Sequence, residues 1–375
     1  MGHRLTEGYH RVKVLFIIPN LFRGGAEYQL VELCRSLRQE SKLQLKVLTF
    51  YSEKAKDLDG HYAEMRDLGV SVDSLFDQFT TGFPLLKKLR SYLKSNPSDI
   101  IQAFLQANEY TSIASLGLTG EVYHGIRSDP VLSTSKVWMA RLLDFRVRAY
   151  VGNAKQNIRH YQEQIKFRPS KAVTIYNGIN LDRFQQLRPR DATRRDLGLS
   201  AHNRVFITVA NMHFPFKGHG ELLDAWCLHG PTHPQDHLVL VGTGSLREGL
   251  EQRARQAGLA ERTHFLGMRT DVLDLLSASD VYISPSWVEG FSNSVAEAIL
   301  CGMPVIATAV GGTPEMVDDG PHGALVPPNN AQALATAMDR DFRPLDEGLI
   351  QAFRSLVDLK RLGTEYLALY RNTPR

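Results

Sequence analysis

Glu289 and Glu297 stand eight residues apart across a turn, in Ser284-Pro-Ser-Trp-Val-Glu289-Gly-Phe-Ser-Asn-Ser-Val-Ala-Glu297-Ala. The pattern reads as a strand end, a glycine-containing loop, and a helix that begins near Ser292. The first N–H groups of a helix have no partner within it, and its dipole places positive potential there. The N–H groups of Phe291, Ser292, Asn293 and Ser294 therefore form a site suited to a diphosphate. Carboxylates accept well from vicinal hydroxyls. Two glutamates flanking such a site suggest a sugar hydroxyl set on each side. Alone, the stretch also reads as a helix preceded by an acid and carrying an ordinary surface glutamate.

Four further segments surround it. They are Gly24-Gly25-Ala26-Glu27, Asn177-Gly178-Ile179, the run from Gly302 through Pro304 and Gly311-Gly-Thr-Pro-Glu315, and Asp319-Gly320 with Gly323-Ala-Leu-Val-Pro327. With the Glu-x7-Glu spacing and in this order, they resemble the retaining glycosyltransferases of GT-B fold, family 4. The resemblance covers nearly the whole chain, from about Val12 to Pro328.

The resemblance implies roles residue by residue. Glu297 matches the glutamate that binds the ribose hydroxyls of a nucleotide-sugar, and Glu289 the one near the hydroxyls of the transferred sugar. Lys217 matches the lysine on the donor phosphates. Gly24 and Gly25 match a loop that lets backbone amides approach phosphate and acceptor. Gly242 and Gly244 match a glycine turn near the nucleotide. Met268 and Arg269 lie where the base is held, largely through backbone. Asn211 stands where the family usually has an arginine, and carries no charge. His213 and His219 are close by and otherwise read as solvated loop residues. The family histidine beside the donor sugar is matched by His124, expected at a strand end. Arg127 is the alternative, with His124 then a packed core residue; Arg127 and Asp129 also read as a simple local ion pair.

The same resemblance implies loss of a diphosphate through an oxocarbenium-like transition state, with retention by same-face attack. Lys217 and the amides of the Ser292 helix would meet the growing phosphate charge. No metal and no bound cofactor are expected, because the chain has no Asp-x-Asp in a plausible metal loop. The competing readings are a non-hydrolysing nucleotide-sugar epimerase, with Glu27 and Glu109 as weak candidate acids, and a non-catalytic nucleotide- or glycan-binding scaffold.

The elements that must position these residues alternate. The near-continuous apolar run 12–19 (VKVLFIIP) reads as a buried parallel strand, and a glycine turn and an apolar-periodic helix follow. Further strands are expected at 45–50, 100–104, 122–126, 149–151 and 172–175. Residues 177–190 break the alternation, which restarts with strands at 205–210, 237–241, 264–266, 280–284 and 304–307. The expectation is α/β: a Rossmann-like acceptor-side domain over 1–176 and a Rossmann-like nucleotide-sugar domain over 177–345. They would face a central cleft, and a helical tail over 346–375 would pack on the first.

Composition agrees. Of 375 residues, 43% are hydrophobic and 22% charged, which excludes a disordered chain. No apolar stretch approaches the roughly 18 residues of a membrane span, and no signal peptide is read. Cys34, Cys227 and Cys301 show no metal-ligand spacing, as suits a reducing cytoplasm. Residues 1–170 carry 24 Lys and Arg against 17 Asp and Glu, while the remainder is net acidic. A basic front half suggests an anionic partner, whether a membrane surface at its cytoplasmic face, a lipid phosphate or a nucleic acid, and otherwise reads as ordinary charge scatter. With the basic residues from Arg141 to Arg168 it favours a lipid-linked or membrane-resident glycan acceptor. The stretch 84–94 (PLLKKLRSYLK) reads either as an amphipathic helix lying in a membrane interface, or as a packed helix with wet lysines. Nucleic-acid binding is not expected, because the basic residues lack interleaved aromatics.

Overall fold

The computed structural model describes residues 11–55, 60–128 and 131–371. The chain divides into two units, the first reaching Ile179 and taking back the residues from Asp358 on, the second running Asn180–Val357.

The first unit holds seven parallel strands: β1 Val12–Ile18, β2 Leu43–Tyr51, β3 Ser71–Phe76, β4 Ile100–Phe104, β5 Glu121–Ile126, β6 Val147–Gly152 and β7 Ala172–Thr174. Their spatial order is β3-β2-β1-β4-β5-β6-β7. β1 explains why the stretch is apolar on both faces. Val14, Phe16 and Ile18 enter one core with the helix Gly25–Leu37, while Leu15 and Ile17 enter another with the helix Gly82–Ser95. A strand covered on both sides cannot alternate with polar residues.

The second unit holds β8 Arg204–Val209, β9 Asp236–Val241, β10 Thr263–Gly267, β11 Val281–Ser284, β12 Val305–Thr308 and β13 Gly323–Val326. The order is β10-β9-β8-β11-β12-β13, again all parallel. Phe206 and Ile207 of β8 point into separate cores on opposite faces. Both units are Rossmann-like. In each, the chain builds outward to one side and then crosses to the other, so the order reverses between β1 and β4 and between β8 and β11. Open α/β sheets bind ligands at the carboxyl ends of the strands beside such a reversal.

Four expectations change. The edge strands β3 and β13 are absent from the expected set, because Ser71-Val-Asp-Ser-Leu-Phe76 is half polar, Gly323–Val326 is only four residues long, and each pairs on one side only. The boundary lies after Ile179, because Gly178 is tied into the first unit. Its N–H donates to Gln29 Oε1 at 3.1 Å, and the Gln29 amide donates to its carbonyl at 2.9 Å. The tail is split. Glu347–Val357 stays with the second unit, while only Leu359–Arg371 joins the first, against Gly25–Leu37. Gly363 permits that packing, since a Cβ there would sit 2.9 Å from Ser36 Oγ.

Candidate functional site

In the second unit the reversal falls between the loops that follow β8 and β11. The loop after β8 carries Lys217, in the short turn Pro215–Lys217. Gly218 then adopts φ +71°, and a Cβ on it would lie 2.0 Å from the Pro285 carbonyl oxygen. The two loops therefore close on each other at a glycine. Trp287 N–H also donates to the Phe216 carbonyl at 2.7 Å. This docking brings Lys217 Nζ to 2.7 Å from Glu289 Oε1, with both side chains mostly buried.

Ser292 caps the helix Asn293–Leu300, its hydroxyl accepting from the Val295 N–H at 3.5 Å. Tyr282 donates its hydroxyl to Ser294 Oγ at 2.8 Å. Phe291 is buried and stacks on Phe353 with centroids 6.5 Å apart. Glu297, 9% exposed, is the fifth residue of that helix, just over one turn in. Burial raises its pKa, and Arg183 opposes the rise. Arg183 Nη1 donates to Glu297 Oε1 at 2.8 Å. Oε2 takes no hydrogen bond from the described residues.

The remaining sequence-expected residues of this unit also lie at strand carboxyl ends. Gly242 follows β9 with φ +136°, and a Cβ there would stand 2.0 Å from the Ala210 carbonyl. Its N–H donates to Gly267 at 2.8 Å. Gly244 is pressed against Met212 backbone in the same way. These glycines let the loops after β8, β9 and β10 interlock. Asn211 is exposed, and its Oδ1 accepts from the His213 N–H at 3.4 Å. Met268 is 55% exposed. Arg269 is already engaged, with bonds of 2.7 and 2.6 Å to Asp271. His219 is buried, unlike the solvated reading, and burial with the Lys217 charge lowers its pKa to about 4.

Residues 203–341 match the family of glycosyl transferases group 1. D-inositol 3-phosphate glycosyltransferase of Corynebacterium aurimucosum is 28% identical over 236 residues, which are 60% of this chain and 56% of that one. The chain spans about half the length of the relatives it matches. Anabaena HepE in complex with UDP superposes with a TM-score of 0.82 at 23% identity, covering 96% of this chain and 100% of that one. WaaG, a glycosyltransferase involved in lipopolysaccharide biosynthesis, gives 0.70 at 19% identity, with coverage of 96% and 100%. The fold is that of GT-B glycosyltransferases.

In the first unit the group 1 resemblance needs correcting at His124. It is the fourth residue of β5, not its end. The ring is 5% exposed, lies 2.8 Å from Ser112 Oγ through Nε2, and packs against Tyr150. Burial lowers its pKa to about 3, so it is neutral at physiological pH. This placement favours the alternative in which His124 is a packed core residue. Arg127 instead follows the strand's last residue. Its guanidinium donates to Asn177 Oδ1 at 3.3 Å and to the Tyr366 hydroxyl at 3.2 Å, above the Phe104 ring. Asp129 lies outside the described residues.

Gly24 and Gly25 open the helix Gly25–Leu37 after β1, at the reversal of the first sheet. A Cβ on Gly24 would meet Glu27 Oε2 at 2.3 Å, so the Glu27 carboxylate folds back over the loop. Burial raises the Glu27 pKa to about 7, its own backbone N–H offsetting part of the rise. Sequence reasoning missed Arg183 altogether. It sits in the stretch read as linker, and no local pattern marks it as a partner of a residue 114 positions away. One further set of donors lies close together, His229, His233 and Asp339, within 4.8 Å of one another. It lies at the amino end of β9, and both His229 ring nitrogens already face carboxylates, of Asp339 and Asp236.

Proposed function

We propose that the chain is a retaining glycosyltransferase moving a sugar from a UDP-linked donor to a glycan or lipid-linked glycan acceptor of a surface polysaccharide or lipopolysaccharide. The observation that carries it is the Lys217–Glu289 pair, set beside the Ser292-capped helix start where the strand order reverses. The printed descriptions of the similar proteins support the reading: an inositol phosphate glycosyltransferase, HepE with UDP, and a transferase of lipopolysaccharide biosynthesis.

The bond between the anomeric carbon and the β-phosphate oxygen breaks, leaving its electron pair on the phosphate. The acceptor oxygen bonds to the same face of the carbon, and its proton passes to the departing phosphate. Lys217 and the amides of Phe291 to Ser294 meet the charge that grows on that phosphate. Glu289, released from Lys217 as the phosphate arrives, accepts from the sugar hydroxyls. Glu297 Oε2 accepts from the ribose while Arg183 fixes the carboxylate. Arg127, rather than His124, is the first-unit group at the strand ends. No metal is needed for the charge that Lys217 and the amides take up.

A thermal-shift series with UDP, GDP and nucleotide-sugars tests the donor, since a ligand bound only to the folded state raises the melting temperature by mass action. Stabilisation by UDP over GDP is expected, and indifference to both overturns the reading. The donor incubated without acceptor separates the reaction classes. An epimerised nucleotide-sugar would show that the enzyme is no transferase. Proton NMR of the anomeric product then reads retention directly.

A further inference from the structure

Two helices of the first unit carry apolar stripes at helical spacing, and the structure treats them oppositely. In Gly82–Ser95 the stripe Leu85, Leu89 and Leu93 is buried against the sheet. This helix therefore spends its leucine stripe inside the protein, and of its large apolar side chains only Phe83, in the first turn, is exposed, at 74%. In Thr134–Leu143 only Leu143 is buried. Trp138, Leu142 and Phe145, at i, i+4 and i+7, are 66%, 74% and 74% exposed, and Val131 before the helix is 88% exposed. Three large apolar side chains on one stripe with no described residue over them mark a surface that meets something else.

Charge says what. Residues 131–171 hold nine Lys and Arg against two Asp and Glu. Phe145 also rims a cavity of about 660 Å³ whose lining includes Arg148, Arg168 and Lys171, with Glu121 as its acid. Lys171 is held by Asp144 at 2.9 Å, and Arg148 stands 3.8 Å from Glu121. Arg168 is exposed at the same opening. A second copy of this chain would set this cationic face against itself, and like charges facing each other across an interface are costly. An anionic lipid surface is complementary to both parts. Its headgroups match the arginines, and a stripe of two aromatics and a leucine suits the headgroup–acyl boundary.

We infer that the helix Thr134–Leu143 with Phe145 docks this protein on an anionic phospholipid bilayer, with a headgroup phosphate at the Arg148–Arg168 opening. The inference gives the lipid-linked acceptor of the proposed function a membrane on which to be met. It rests on that reading only for its purpose, since vesicle binding is measured without donor or acceptor. Loss of one therefore leaves the other standing.

The test is flotation of the full chain with phosphatidylglycerol–phosphatidylcholine vesicles and with pure phosphatidylcholine vesicles. Binding to the anionic vesicles is expected at low salt, falling steeply from about 0.05 to about 0.5 M salt as screening shortens the attraction. The triple variant Trp138→Ser, Leu142→Ser, Phe145→Ser should lose about tenfold or more of its partitioning, as should Arg148→Gln with Arg168→Gln. All five side chains are exposed, so circular dichroism should remain that of wild type. Trp138 emission should shift to the blue on binding, as its ring leaves water. Equal binding by the triple variant overturns the inference, as does absence of binding at low salt. A dimer in analytical ultracentrifugation that the triple variant abolishes would also overturn it, by showing that a second copy covers the stripe.

Discussion

Lys217 Nζ and Glu289 Oε1 stand 2.7 Å apart at the point where the strand order of the second sheet reverses. The lysine is thus neutralised by the glutamate until a phosphate competes for it. Phosphate charge grows in the transition state, so the lysine contributes more there than in the ground state. Lys217→Ala should lower kcat by on the order of 10²-fold with a smaller change in donor KM. Steady-state kinetics over donor concentration reads the split. Normal turnover with weakened binding alone would reduce the lysine to a binding group.

Glu297→Ala should weaken donor binding by roughly 1.5–3 kcal/mol, the range for hydrogen bonds to charged groups. Arg183→Met tests how the carboxylate is kept ready. Burial already raises the Glu297 pKa, and the arginine opposes that rise. Without it, the carboxylate is protonated at higher pH. On lowering the pH, donor affinity in Arg183→Met should then begin to fall at a higher pH than in wild type. Isothermal titration at several pH values measures this, and parallel pH profiles would remove Arg183 from the site.

Glu27 gives a stability test. Its pKa rises from 4.5 to about 7 on folding, through burial. The folded state binds the proton more tightly than the unfolded chain. The contribution is therefore full below 4.5 and is lost as pH rises through about 7. Glu27→Gln, which keeps the neutral shape, should match wild type in acid and exceed it above neutral pH, by up to about 3 kcal/mol. Denaturant midpoints against pH measure it. A constant difference at all pH values would show that burial of the carboxylate is not the cause.

Activity should persist in excess EDTA, because Lys217 and the helix amides take the phosphate charge. Loss of activity that magnesium or manganese restores would overturn the metal-free reading.

The basic residues of Gly82–Ser95 should prove unequal. Arg90 donates to the carbonyls of Ala114 and Leu116 at 2.9 and 2.8 Å. Arg90→Gln should cost about 1.5–3 kcal/mol. Lys87→Gln and Lys94→Gln, both exposed, should stay within about 0.5 kcal/mol. Urea midpoints decide, and a neutral Arg90→Gln would mean that those carbonyls are served equally well by water.

What was legible in the residues was local. A strand end, a turn and a capped helix can be read between Ser284 and Glu297 because the signals that mark them, such as the Ser292 cap on the Val295 N–H, lie within a few positions. Buried strands such as β1 announce themselves by being apolar on both faces, and the alternation of such strands with helices determined the fold class. Tertiary structure alone decided the rest, because it depends on which distant surfaces meet. Lys217 and Glu289 are 72 positions apart, and Arg183 and Glu297 are 114 apart. Neither pair has a periodicity that would betray it. His124 looked like a strand-end residue, but β5 runs two residues further and buries it. Most plainly, the stripes of Leu85–Leu93 and of Trp138–Phe145 have the same helical spacing. Spacing determines which side chains share a face. Only packing decides whether the sheet or the solvent lies opposite it, since burial is a property of the neighbour as much as of the helix.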